Sequence, residues 1–230
     1  MFIGHFALAY GAKKAVPDAS LGTLFMAVQL ADLVWPTLVL AGVESFRVAP
    51  GITAFTPLDF TSYPYSHSLV ALMSWAFALA VAYAVARGGR VRESFVLAAL
   101  VLSHWVLDVV SHRPDMPITL GGSEKLGLGL WNSVPGTIAV EVAMFAAGAA
   151  LYFSSTRATD RAGRLGAWSL VGFLVVVYFA NAFGPPPPSV AAVAWSAEAL
   201  WLLVAWAWWS DRHRRARAAN GAPAAGGHAG

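Results

Sequence analysis

The chain has 230 residues, of which 58% are hydrophobic and 12% are charged, and its formal net charge at pH 7 is +3. Soluble domains carry about 25% charged and about 45–50% apolar residues, so this composition excludes an ordinary soluble protein and indicates a membrane protein. The chain has no cysteine, which excludes disulfides and thiolate ligands. Any bound metal must therefore be held by imidazole and carboxylate groups.

The chain begins with a short apolar segment, MFIGHFALAYGAKKA, in which two lysines follow the apolar residues. In a secretory signal peptide the basic residues come first, so this segment does not match one. It is also shorter than the ~20 residues that a membrane-crossing helix needs. We therefore predict a half-length helix that enters the membrane and returns through Pro17 and Asp18 to the first span.

Six longer apolar runs follow, and each is close to the ~20 residues that cross the hydrocarbon core. They lie near residues 19–41, 65–86, 94–112, 133–153, 165–183 and 190–209. The sequence thus predicts an all-α, polytopic membrane bundle of six transmembrane helices plus the N-terminal half-helix. Residues 1–209 form a single domain in this interpretation.

The basic residues between the spans alternate in density. One side collects Lys13, Lys14, Arg87, Arg90, Arg92, Arg157, Arg161, Arg164, Arg212, Arg214, Arg215 and Arg217, and the other side has Arg47, Arg113 and Lys125. Because cytoplasmic loops are enriched in Lys and Arg, this split predicts that both ends of the chain are cytoplasmic. Residues 210–230, arginines followed by Ala, Gly and Pro, are predicted to be a disordered basic cytoplasmic tail. We discount His213 and His228 in this tail as ligands.

Ionisable residues within the apolar runs are the main functional signal. In SHWVLDVVSH at 103–112, His104, Asp108 and His112 recur every four residues, which places them along one face of a helix. Such groups inside a membrane cost several kcal/mol unless they pair, meet water or bind an ion. This segment therefore predicts part of a metal-binding site.

Depth in the membrane can be counted at ~1.5 Å per residue from the predicted cytoplasmic boundaries. Six groups fall at about 18–24 Å: His5, Asp32, His104, Asp108, Glu141 and Glu198. His67 and His112 lie higher, at about 30 Å. A shared depth is what a single site in the outer half of the membrane requires.

Simpler explanations exist for each group. His104 and Asp108 could be a pair that stabilises the bundle, and His112 could be an ordinary loop residue. Ser66 could simply cap the helix that begins near His67. Glu141 and Glu198 could each have a role on the substrate side or form an interhelical hydrogen bond.

Four segments, GHFALAYGAKK, ADLVWP, YSHS and SHWVLDVVSH, together resemble the bacterial membrane-bound metal-dependent hydrolase family. The resemblance covers about residues 1–150 and extends to HRPDMP and to GLGLWNS at 127–133. It implies a hydrolase of the bacterial inner membrane, whose family positions correspond here to His5, Asp32, His67, His104 and Asp108. The same order of motifs is distantly similar to zinc-dependent phospholipase C, a helical enzyme that acts on phosphodiesters.

The predicted site is a hydrolytic metal centre. Its predicted ligands are His5, Asp32, His67, His104, Asp108 and His112. Zinc is the expected divalent metal, with manganese and iron as alternatives, and it would lower the pKa of bound water from about 15.7 to about 7. Glu141 is predicted to be the general base or a partner that orients a ligating histidine. Arg113 is predicted to bind a phosphate or carboxylate of the substrate, or to anchor its helix at the interface.

The position near the outer face predicts a lipid or amphipathic ester or phosphoester as substrate. The expected partners are the lipid bilayer and this substrate, with no nucleic acid, and the oligomeric state stays open. A transporter or relay that moves protons or a divalent cation could use the same groups. A third alternative is a scaffold protein in which the polar groups lock the helices together.

Overall fold

Long apolar helices dominate the computed structural model, which describes residues 1–121 and 124–217. The helices are α1 Ile3–Ala15, α2 Leu21–Val28, α3 Leu30–Leu40, α4 Pro64–His67, α5 Leu69–Ala86, α6 Val91–Ser111, α7 Val134–Ser155, α8 Arg161–Phe183, α9 Val190–Glu198 and α10 Leu200–Arg212. The strands are β1 Ser45–Val48, β2 Leu58–Ser62, β3 Met116–Pro117, β4 Lys125–Leu126, β5 Thr156–Ala158 and β6 Arg214–Ala216. The strands form three two-stranded pairs, so the predicted all-α bundle is confirmed.

Five helical segments in the described part of the chain are long and apolar enough to cross a membrane. They are α5, α6, α7, α8 and the pair α9–α10 taken as one unit. Large apolar side chains point outward from them, including Phe77, Val85 and Phe95, each more than 70% exposed. Exposed apolar faces on this scale fit a lipid environment and indicate a membrane protein.

The predicted first span, 19–41, consists of two helices. α2 and α3 meet at Gln29 with a bend of 57°, and they make a sixth span if they are counted together. Ser20 caps the start of α2 by accepting a hydrogen bond from the amide of Thr23 at 3.1 Å. The bend turns the beginning of α3, which carries Asp32, away from the line of α2.

The predicted N-terminal half-helix is confirmed as α1, which has 13 residues. Its side chains are buried on several sides, with Ala9 and Tyr10 fully enclosed. It packs closely against α7, where a Cβ on Gly148 would overlap the backbone of Ala7. Glycine at this position therefore lets two backbones approach, as is common between membrane helices.

The antiparallel pair β1–β2 lies between α3 and α4, with Phe46 opposite Phe60 in its register. A small aromatic cluster joins this hairpin to the bundle through Trp35, Tyr63 and Met116. The hairpin thus packs at the end of the bundle where α6 finishes. We call this the His112 end.

The prediction of a disordered tail from residue 210 is wrong for residues 210–217. Helix α10 continues to Arg212, and β6 pairs with β5. Asp211 is buried and accepts hydrogen bonds from Lys13 at 2.6 Å and from Tyr152 at 3.1 Å. Arg214 lies over the Tyr152 ring at 5.0 Å. These contacts hold the segment in place, and the remainder of the predicted tail, 218–230 with His228, lies outside the described residues.

Candidate metal centre

All six predicted ligands come together around the carboxylate of Asp108. They are His5 in α1, Asp32 in α3, His67 in α4, His104 and Asp108 in α6, and His112 directly after α6. Five of them are at least 97% buried, and Asp32 is half-buried. Segments far apart in the sequence thus meet in one cluster.

Local sequence signals place Asp32 and His67, which lie neither in α1 nor in the segment 104–112 at the end of α6. Pro64 begins α4 at its first helical position, and the four-residue helix ends at His67. The next residue, Ser68, caps α5 with its hydroxyl. His67 is therefore held at the junction of two helices. Asp32 lies in the first turn of α3, just after the bend at Gln29.

One oxygen of Asp108, Oδ2, faces three imidazoles. The Nε2 atoms of His104, His67 and His112 lie 3.1, 3.9 and 4.0 Å from it. Asp32 adds a second carboxylate, with Oδ1 at 3.3 Å from His67 Nε2 and Oδ2 at 3.8 Å from His104 Nε2. In a tetrahedral site with ligand bonds near 2.1 Å, ligand atoms lie about 3.4 Å apart. The separations in the cluster fit that spacing.

The other oxygen of Asp108, Oδ1, is occupied by donors. His5 Nε2 lies 3.0 Å from it, and the amino group of Met1 also donates to it. The His5 ring stacks on that of His104, with centroids 3.8 Å apart. In this arrangement His5 holds the Asp108 carboxylate, and it is also near enough to His104 and Asp108 to be a ligand.

Three rings are oriented by hydrogen bonds at their outward-facing Nδ1 atoms. His104 Nδ1 lies 2.7 Å from the carbonyl of Val28. His67 Nδ1 lies 2.7 Å from Ser66 Oγ, and His112 Nδ1 lies 2.9 Å from Asp115 Oδ1. A carbonyl only accepts hydrogen bonds, so His104 Nδ1 carries the proton and, in a neutral ring, Nε2 carries a lone pair. This is the arrangement found behind metal-ligating histidines.

The cluster could hold a metal ion. Two groups have their ligand atoms within 4.8 Å of one another: His5, His104 and Asp108, and Asp32, His67 and His104. Within residues 1–121 and 124–217, His104 Nε2 makes no hydrogen bond, although it belongs to both groups. A lone pair directed at two carboxylates is repelled unless a cation lies between them. The residues present could therefore hold a metal ion.

Glu141 and Glu198 make their hydrogen bonds outside the cluster, although they share the predicted depth. Glu141 Oε2 accepts hydrogen bonds from the amides of Phe2 at 2.8 Å and Gly4 at 3.1 Å, at the start of α1. In the described part of the chain these amides, and no ligating histidine, are its hydrogen-bond partners, and a role of Glu141 as general base stays a prediction. Glu198 accepts a hydrogen bond from Thr37 Oγ1 at 2.6 Å on an exposed surface, which is one of the interhelical bonds considered above.

Arg113 lies beside the cluster and contacts two carboxylates that the sequence did not single out. Its Nε donates to Asp115 Oδ2 at 3.1 Å, and its terminal nitrogen donates to Asp59. Its side chain is about one-third exposed. Substrate binding by Arg113 stays a prediction.

Tyr63 also belongs to the surroundings of the cluster. Burial, reinforced by the Asp115 carboxylate, raises the pKa of the Tyr63 hydroxyl, which keeps its proton and donates to Asp115 Oδ1 at 3.1 Å. Tyr63 lines a cavity of about 220 Å³ together with Lys125 and Thr61. The sequence analysis did not identify Asp115. Its position three residues after His112 was the signal that could have done so.

Comparison of the chain with protein-family models, with curated proteins and with solved structures gave no match.

Proposed function

We propose that this protein is a membrane-embedded, metal-dependent hydrolase that cleaves an ester or phosphoester bond in a lipid or amphipathic substrate. One observation carries the proposal: three histidine Nε2 atoms and two carboxylates from separate segments meet in one cluster within a bundle of apolar helices. The resemblance of residues 1–150 to the bacterial membrane-bound metal-dependent hydrolase family supports the same function.

Zinc is the ion that we propose for this centre, with manganese or iron as alternatives, because imidazole and carboxylate ligands suit all three. Asp32, His67, His104 and Asp108 would hold it. His5 would hold the Asp108 carboxylate by its hydrogen bond to Oδ1. When bound, such an ion supplies Lewis acidity and activates water at neutral pH.

The exposure of the ligands supports a catalytic site over a purely structural one. The side chain of Asp32 is 26% exposed, whereas those of His67 and Asp108 are 4% exposed. A catalytic metal site keeps one position open to water or substrate, and a structural site is closed on all sides. With four protein ligands, a catalytic ion would need a further position for water or substrate, and approach from the Asp32 side would supply it.

Aromatic rings cover the His112 side of the cluster. The His112 ring lies 4.1 Å from that of Trp131 and 5.0 Å from that of Phe60, measured between centroids. These rings exclude water from one side of the site. The polar groups of the centre are thereby kept in an environment where electrostatic interactions are strong.

We further propose that the protein lies in a bacterial inner membrane with Lys13, Lys14 and the end of α10 on the cytoplasmic side. The Met1 amino group donates to Asp108 inside the bundle, which does not fit the predicted cytoplasmic N-terminus. The denser group of basic residues belongs to the end of the bundle that carries Lys13 and Arg214, opposite the His112 end. Under the positive-inside bias, the metal centre then lies in the outer half of the membrane. A lipid or an amphipathic ester can reach that depth.

Metal analysis of the protein purified in mild detergent tests the centre. We expect stoichiometric zinc or another divalent metal in the wild type and its loss in His104→Ala and Asp108→Ala. Glu198→Gln is the matched control, because Glu198 shares the predicted depth but lies outside the cluster. Wild-type protein without stoichiometric metal would refute the proposal.

Hydrolysis is tested with lipid and amphipathic ester and phosphoester substrates in detergent. We expect cleavage that a chelator abolishes and zinc restores, and that Asp32→Asn reduces. Flux of protons or metal in proteoliposomes without cleavage would instead indicate the transporter. Alanine variants that lose thermal stability while metal content and activity stay unchanged would indicate the scaffold.

A further inference from the structure

Glu44 is a buried carboxylate that directly precedes β1 and contacts the segment before His67. Its Oε1 accepts hydrogen bonds from the amides of Tyr65 at 2.7 Å and Ser66 at 2.9 Å. Its Oε2 accepts a hydrogen bond from Ser66 Oγ at 2.6 Å. The two oxygens thus bind different kinds of donor, backbone on one side and a hydroxyl on the other.

The Ser66 hydroxyl connects Glu44 to the candidate metal centre. Ser66 Oγ lies 2.7 Å from His67 Nδ1. Because a hydroxyl has one proton and Ser66 donates it to Glu44, Ser66 Oγ can only accept from His67 Nδ1. The His67 proton therefore lies on Nδ1. In a neutral ring Nε2 then carries the lone pair, and it faces Asp32 Oδ1 at 3.3 Å.

We propose that Glu44 is a positioning residue of the metal centre, which selects the metal-binding tautomer of His67 through Ser66; this inference rests on the proposed function. The other oriented histidines have comparable partners, the Val28 carbonyl for His104 and Asp115 for His112. Glu44 differs from these partners because it acts through an intervening hydroxyl. It also lies in a different segment, the connection between α3 and β1.

A purely structural role would make Glu44 a cap for the short helix α4. The two backbone amides that bind Oε1 account for that role without Oε2. The hydrogen bond from Ser66 Oγ to Oε2 is separate from the cap, and its direction decides which atom of His67 carries the proton. The two roles can therefore be separated by substitution.

Glu44→Gln changes the direction of this hydrogen-bond chain with little change in shape. The amide oxygen of the glutamine can still accept from the two backbone amides. Its NH₂ group replaces Oε2 and donates to Ser66 Oγ, so the Ser66 proton turns toward His67 Nδ1. The His67 proton then moves to Nε2, which loses its lone pair for a metal.

The experiment measures zinc affinity by competition with a chromophoric chelator, and the His67 tautomer by NMR of the histidine-labelled, metal-free protein. We expect Glu44→Gln to move the His67 proton to Nε2 and to weaken zinc binding about 10–100-fold, as is typical of partners behind metal ligands. Ser66→Ala is the second variant, because it breaks the connection and keeps both backbone hydrogen bonds of Glu44. It is expected to weaken zinc binding as well.

Ser45→Ala is the matched control, because it removes an exposed hydroxyl contact of the same hairpin with Thr61 at 2.8 Å. It is expected to bind zinc like the wild type. If Glu44→Gln and Ser66→Ala bind zinc with wild-type affinity, this inference is overturned and the proposed function is not. An affinity loss in Glu44→Gln with an unchanged His67 tautomer would also overturn it. A wild type without zinc affinity would overturn the proposed function and this inference with it.

Discussion

Replacing Lys13 with methionine should destabilise the protein by about 3 kcal/mol. Lys13 and Asp211 form an ion pair at 2.6 Å, with side chains only 7% and 6% exposed. Removing one partner of a buried pair leaves an uncompensated charge and typically costs about 3–5 kcal/mol. The lower part of that range applies, because Asp211 keeps the donors of Tyr152 at 3.1 Å and of the Leu21 amide at 3.0 Å. Methionine is chosen because it occupies a similar volume without a charge.

The assay is equilibrium unfolding in mixed micelles, followed by circular dichroism, for a double-mutant cycle. Asp211→Asn alone leaves the Lys13 ammonium buried without its carboxylate, although it still donates to the neutral carbonyl of Ala19, so it should also destabilise. The double variant Lys13→Met/Asp211→Asn contains neither charge, and its free energy of unfolding should lie closer to that of the wild type than that of either single variant. A change below about 0.5 kcal/mol for Lys13→Met, the scale of an ordinary surface substitution, would refute the buried ion pair.

Two further predictions concern helix packing and the end of the bundle that carries β5 and β6. Gly148→Ala should cost about 1–3 kcal/mol in unfolding free energy, because its Cβ would overlap the backbone of α1. Gly172→Ala is the control, because a Cβ there meets nothing within 4 Å, and it should be close to neutral. Equal effects of the two substitutions would contradict the packing argument. The pKa of Asp160 is lowered by the amide hydrogen bond from Gly163 and by His213. The Asp160 carboxylate therefore stabilises the folded protein above the ordinary carboxyl pKa of about 4, and this stabilisation is lost as the pH falls through the pKa of Asp160 in the folded state. Asp160→Ala should therefore be less stable than the wild type at pH 7 and approach it below pH 4 in thermal unfolding, whereas a difference independent of pH would count against this assignment.

Much of the candidate site was predictable from spacing. Residues four apart in a helix share a face whatever the surroundings, so SHWVLDVVSH already placed His104, Asp108 and His112 together. The high energy of ionisable groups in an apolar segment identified His5 and Asp32 as well. All of these side chains meet around the Asp108 carboxylate.

Depth was a weaker guide than spacing. Glu198 and Glu141 share the predicted depth, yet Glu198 binds Thr37 and Glu141 binds the first amides of α1. Depth along the membrane normal does not specify how a helix is rotated about its own axis. In a soluble helix a polar face would reveal that rotation, but a helix in lipid is apolar on most of its circumference.

The sequence by itself determined the class of protein, the positions of the spans and the residues with reason to bind a metal, because these follow from hydrophobicity, charge and spacing along the chain. The tertiary structure alone decided which polar groups become partners. Glu44 reaches His67 through Ser66, and Lys13 reaches Asp211 across 198 positions of sequence. Such contacts depend on helix rotation and on the packing of distant segments, and local patterns along the chain specify neither.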